Sequence, residues 1–147
     1  MSIKRPWTIK KKVLPQNADH AGVLWHGSYL NWLEEARIDA LTKAGRDYSI
    51  LINDGFELPV IEINIKYLSP IFIGEEITIN SYFNFNEKSP KIKVTSKLVK
   101  NDKSICTKAE ILLVLINKEN FKVLRKKPDY LINSFRKLNV GPDLSLT

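Results

Sequence analysis

One cysteine among 147 residues, Cys106, leaves nothing for an internal disulfide framework and cannot by itself build a cysteine metal site. Histidine is nearly as scarce. His20 and His26 stand six apart with no third histidine, so no metal centre is expected even with Asp19 counted as a ligand. No apolar run approaches the roughly 18 residues of a membrane-spanning helix, so no membrane partner is expected. Lys4, Arg5, Trp7 and Lys10 to Lys12 occupy the place where a secretory leader would carry an apolar segment, and a cytoplasmic protein is the expectation. A G-x-S-x-G nucleophile elbow is also missing. Ser28, beside Gly27, reads instead as part of a helix start. With no repeat, low-complexity tract or linker, residues 1–147 are expected to form one domain, its core at about 7–127 and a C-terminal helix and tail at 128–147.

The formal charge of +7 is unevenly spread. Residues 1–16 hold five basic groups and no acid, and residues 17–62 hold three basic and eight acidic. Residues 87–147 carry fourteen basic and six acidic. A basic half of this kind suits a phosphate-rich ligand, an acidic protein or nucleic acid, and equally a solvated lysine face. No recognised nucleic-acid motif accompanies it, so nucleic acid is not the expected partner. Lys88, Lys91 and the run Arg125-Lys126-Lys127 are the candidates for meeting phosphate.

The patterning is helical in one long stretch and two-residue elsewhere. Trp7 to Leu14 reads as a first strand, closed by Pro15, Gln16 and Asn17. From His26 to Ala44 the apolar stripe Tyr29, Leu33, Ala36, Ala40 and Ala44 marks a helix, with Asp39 and Lys43 an i,i+4 pair on another face and Gly45 ending it. A short helix at Tyr48 to Asn53 follows. Four strands are then expected: Leu58 to Leu68, amphipathic; Glu76 to Phe85; Ile92 to Val99; and Ser104 to Ile116, whose end is apolar enough to be buried on both faces. Phe121 to Leu124 adds a little pairing, Pro128 to Leu138 a terminal helix, and Asn139 to Thr147 a loosely ordered tail. Short turns between long strands imply an antiparallel meander against one long helix, an α+β domain of about five strands with the sheet curved round the helix.

The block Asp19-x-x-Gly22-Val23-x-x-His26-x-x-Tyr29-Leu30-x-x-Leu33-Glu34-Glu35-Ala36-Arg37 resembles the hot-dog-fold acyl-CoA thioesterases, most closely the 4-hydroxybenzoyl-CoA thioesterase type. Leu58-Pro59-Val60 through Tyr67, and Pro70-Ile71-Phe72-Ile73-Gly74-Glu75-Glu76-Ile77, are similar to that family's second and third strands. The resemblance implies a thioester hydrolase without cofactor or metal, acting as a homodimer or homotetramer on an acyl-CoA, an aroyl-CoA or an acyl carrier protein thioester. It implies that Asp19 is the catalytic carboxylate and that a backbone N–H at His26 polarises the carbonyl. Asn17 stands where many members have a second aspartate, and His20 and Ala21 stand where proline, glycine or small residues are common.

Thioester hydrolysis needs a nucleophile or an activated water, and stabilisation of the oxyanion. Asp19 can attack directly, giving a mixed anhydride, or act as general base on water. The helix start supplies one or two free N–H groups, at His26 and Gly27, so the His26 side chain is expected to matter less than Asp19. Gly22, Val23, Trp25, Tyr29 and Leu33 are the substrate-binding candidates, while packing explains the aromatic ones and Trp32 equally well. Glu34 and Glu35 form a second-choice carboxylate pair, otherwise solvent-facing or paired with Arg37. Cys106 reads as a buried small hydrophobe. A non-catalytic acyl- or CoA-binding dimer of the same fold is the competing class.

Overall fold

The computed structural model describes residues 4–143; the last four residues of the expected tail lie outside them. A five-stranded antiparallel sheet has the order β1-β4-β5-β6-β3, built from β1 (Trp7–Lys12), β3 (Val60–Tyr67), β4 (Glu76–Phe85), β5 (Lys91–Lys100) and β6 (Ile105–Val114). A second ladder pairs β2 (Phe56–Glu57) with β7 (Ile116–Asn117). The long helix α1 (His26–Lys43) buries Tyr29, Trp32, Leu33, Ala36, Ala40 and Leu41. These meet the inward residues of β4, Ile77, Ile79 and Phe83, in one core. The period-3.6 stripe and the period-2 alternation thus fix which faces meet. Ala44 follows the helix and Gly45, at φ +90°, ends it in the left-handed conformation that favours glycine. Asp39 and Lys43 form the expected pair at 2.8 Å. The short helix α2 (Tyr48–Asn53) and the terminal helix α3 (Asp129–Val140) both form.

The meander is shorter than the turns implied. Only β4, β5 and β6 follow one another, whereas β3 leaves its sequence neighbour and pairs with β6 at the far edge. The connection from Leu68 to Glu75 spans the sheet and packs Ile71 fully into the core. The expected amphipathic strand is correspondingly open: Ile61, Ile63 and Tyr67 are exposed, and only Ile65 is partly covered. β3 is the edge strand, and a groove separates Ile63 from Leu33 of α1, so its apolar side chains stay open.

Lys127 departs from the phosphate-meeting role suggested by its neighbours. It is buried, and its ammonium donates to the carbonyls of Ser89 at 2.7 Å and Glu87 at 3.2 Å while lying over the Phe85 ring. Burial pushes its pKa below the ordinary lysine value. Lys127→Met leaves two turn carbonyls without their donor, and a loss of about 1–3 kcal/mol is expected. Urea denaturation checks this as a lower midpoint at unchanged slope.

Candidate active site

Asp19 opens a tight loop rather than capping the helix. Its N–H donates to Val23 O at 2.8 Å, and its carbonyl accepts from Gly22 N at 3.0 Å. Its carboxylate Oδ1 accepts from the N–H groups of Ala21 at 2.9 Å and Val23 at 3.2 Å. This is the local side-chain turn that aspartate favours, and Gly22, at φ +79°, lets the chain reverse within it. The carboxylate is exposed, with Oδ1 committed to the loop and Oδ2 without a hydrogen bond among the described residues.

The loop is tied to the helix through Asn17. The Asn17 carbonyl accepts both Trp25 N and the Ser28 hydroxyl, each at 2.9 Å, and its side-chain oxygen accepts from Leu14 N. Ser28 is therefore a buried tether, not a free hydroxyl. On the other side, Leu24 N donates to Ile71 O, and Val23 bridges Phe72. Loop, helix start and crossover are thereby locked in one arrangement.

Trp25 is the N-cap of α1 and makes no side-chain cap. The N–H groups of Ser28 and Tyr29 turn back to the Trp25 carbonyl. Those of His26 and Gly27 have no acceptor among the described residues. The Trp25 indole, half exposed, lies over Gly27 so closely that a Cβ there would come within 2.1 Å of the ring. Trp7 and Trp32 are buried, so Trp25 is the solvent-sensitive fluorophore. Because the obstructing atoms are the far end of an exposed side chain, Gly27→Ala is expected to displace the indole and keep the fold. The measurable outcome is a changed tryptophan emission with stability within about 1 kcal/mol of the parent, since alanine is the better helix former.

Asp19, Val23, His26 and Tyr29 border one cleft of about 420 Å³, together with Leu24, Tyr67, Leu68, Ser69 and Pro70. Leu24 and the last four are site residues that the sequence reading missed; for Tyr67–Pro70 the available signal was a strand end running into a proline break. Tyr29 and Tyr67 meet edge to face at 4.9 Å, and burial raises the Tyr29 hydroxyl above its ordinary pKa. Gly22 shapes the loop and Trp25 covers Gly27, so neither borders this cleft, and Leu33 lines a neighbouring groove instead. Glu34 and Glu35 are held elsewhere, by Arg37 at 3.4 Å and Lys11 at 2.7 Å. Cys106 is buried with its thiol against Leu98 O, and burial raises its pKa. Of the two histidines, only His26 borders the cleft. Among the described residues no cluster of histidine, cysteine and acidic side chains is arranged to hold a metal ion, and no helix is long and apolar enough to cross a membrane.

Comparison with known proteins shows the family and the fold. Residues 13–131 match the model of the thioesterase-like superfamily. A protein of Synechocystis named as a presumed esterase, sll0410, is 31% identical over 82% of this chain and 72% of its own. The 1,4-dihydroxy-2-naphthoyl-CoA hydrolase of Acaryochloris marina is 31% identical over 71% of this chain and 78% of its own. Among solved structures, SAV2348 of Staphylococcus aureus, in complex with CoA, superposes with a TM-score of 0.84 at 17% identity, covering 98% of this chain and 90% of that one. At that identity the likeness is one of fold.

Proposed function

The chain belongs to the thioesterase-like superfamily, and we propose that it is an acyl-CoA thioesterase with Asp19 as its catalytic carboxylate. The observation that carries this reading is how Asp19 is held. One oxygen is fixed by two loop N–H groups, the other is uncommitted, and the cleft it borders also reaches the open first turn of α1. In the proposed reaction the thioester carbonyl oxygen accepts from the N–H groups of His26 and Gly27, where the helix dipole also favours negative charge. Asp19 either attacks the carbonyl carbon, expelling the thiolate and leaving an anhydride that water cleaves, or takes a proton from the attacking water. Both routes consume one water and release a carboxylic acid and a free thiol.

The cleft wall formed by Tyr29, Tyr67, Leu24 and Leu68 favours an apolar or aromatic acyl group, in keeping with the 4-hydroxybenzoyl-CoA type and with the naphthoyl-CoA relative. CoA is the proposed carrier and acyl carrier protein the alternative. We place the activity in the cytoplasm and assign it to the whole of 1–147 as one unit. The proposed working form is a homodimer joined along β3, whose outer edge is unpaired among the described residues and carries the exposed Val60, Ile61, Ile63 and Tyr67. A thiol-release assay over aromatic and graded aliphatic acyl-CoA thioesters, beside the same acyl groups on carrier protein, tests the reading. Turnover supports it; ligand binding without turnover would assign a non-catalytic acyl-binding role.

A further inference from the structure

Arg37 has no use in the reaction just described, yet it is the most deeply buried charged side chain on α1, 7% exposed. Its guanidinium presents five donors and makes a single hydrogen bond among the described residues, a long one of 3.4 Å to Glu34. The Glu34 carboxylate is 64% exposed and free to swing into water. Tyr48 also interacts electrostatically with the guanidinium, and the groove wall beside it is largely apolar. Arg37 and Glu34 line a groove of about 220 Å³ with Leu30, Leu33, Val60, Ile63 and Ile111. A guanidinium whose donors are mostly uncommitted, set as a planar fork beside an apolar wall, is suited to receive a carboxylate.

The groove neighbours the cleft that Asp19 borders, beyond the Tyr29–Tyr67 ring contact. Tyr29 and Tyr67 touch at the Asp19 end, where Tyr67 closes β3. Leu33 and Ile63 line the next stretch, and Arg37 and Val60 the far end, so α1 and β3 run antiparallel along its two sides. Arg37 is eleven residues from His26, which puts its Cα roughly 16 Å along the helix. Helical side chains lean toward the N-terminus, so its head group sits nearer the reacting carbonyl than that.

We propose that Arg37 forms a distal anion subsite, and that the acyl groups this protein prefers are of medium length and end in a carboxylate. This rests on the reading that the Asp19 cleft takes the thioester. Glu34 acts as a gate that gives up Arg37 when the substrate carboxylate arrives.

The test is chosen to be independent of turnover. Two non-hydrolysable S-alkyl-CoA thioethers of equal chain length, one ending in methyl and one in carboxylate, are titrated calorimetrically into the full-length protein and into Arg37→Met and Arg37→Lys. The expected result is about 10- to 100-fold tighter binding of the carboxylate-ended thioether by the parent. That advantage vanishes in Arg37→Met and is partly restored in Arg37→Lys, while methyl-ended binding changes less than threefold. Equal binding of both thioethers by the parent, binding of neither, or equal loss of both in Arg37→Met overturns the proposal; the last outcome makes Arg37 a purely structural residue. Discrimination between the thioethers in a protein that hydrolyses no thioester supports the subsite and removes the hydrolase reading instead.

Discussion

Asp19→Asn is expected to lower kcat about 10²–10⁴-fold with KM nearly unchanged. Asparagine keeps the side-chain oxygen that accepts from Ala21 and Val23, so the loop and the helix start stay in place. What disappears is the negative charge and the basicity of the uncommitted oxygen, which both mechanisms need. Asp19→Ala is the less informative variant, because it also removes the loop's own acceptor. Replacing the His26 side chain is expected to cost far less, since its proposed contribution is a backbone N–H that His26→Ala retains. Steady-state thiol release on all three variants, with circular dichroism to verify the fold, separates the effects. An Asp19→Asn variant within threefold of the parent would move catalysis to another group, while the hydrolase activity itself would stand.

The second large effect is expected at the sheet edge. Ile61 and Ile63 are exposed on β3, where the outer row of backbone groups is unpaired among the described residues. An apolar edge strand of this kind is a ready template for another strand, and charges placed on it are the standard deterrent. Replacing both isoleucines by lysine is expected to convert a dimer to a monomer in analytical ultracentrifugation. Activity should fall at least tenfold, because the second copy would wall the Asp19 cleft on the β3 side. The double variant should keep its fold, as neither isoleucine is buried in the single chain. A parent that sediments as a monomer, or a monomeric variant with full activity, would remove the dimer from the account.

Much of this molecule could be read from its residues, and the limits have physical causes. The helix from His26 was legible because Tyr29, Leu33, Ala36 and Ala40 recur at helical spacing, and each is buried as that spacing requires. The strands at Glu76 to Phe85 and Ile92 to Val99 were legible too, and both form at nearly those bounds. Periodicity carries no information about which strand lies beside which. Eight residues, Leu68 to Glu75, can turn back or cross the sheet; the strand order shows that they cross, and the Leu24–Ile71 and Val23–Phe72 contacts lay them against the Asp19 loop. The same crossover brings Tyr67 to Tyr29, which is why one wall of the cleft was missed. Asp19 was legible through its family block, but its division into one tethered and one uncommitted oxygen is a property of the folded loop. Lys127 looked like its solvated neighbours Arg125 and Lys126 because nothing local distinguishes a lysine that will be buried over two carbonyls.

The central claim is that a carboxylate at Asp19 and the open first turn of α1 together cleave a thioester. Its most direct test follows free CoA thiol and free acid simultaneously, from an aroyl-CoA and a medium-chain acyl-CoA, with the parent and Asp19→Asn proteins purified side by side. The account predicts equimolar thiol and acid from the parent on at least one substrate, and near-background release from Asp19→Asn. No thiol release by the parent, or equal release by both proteins, contradicts it.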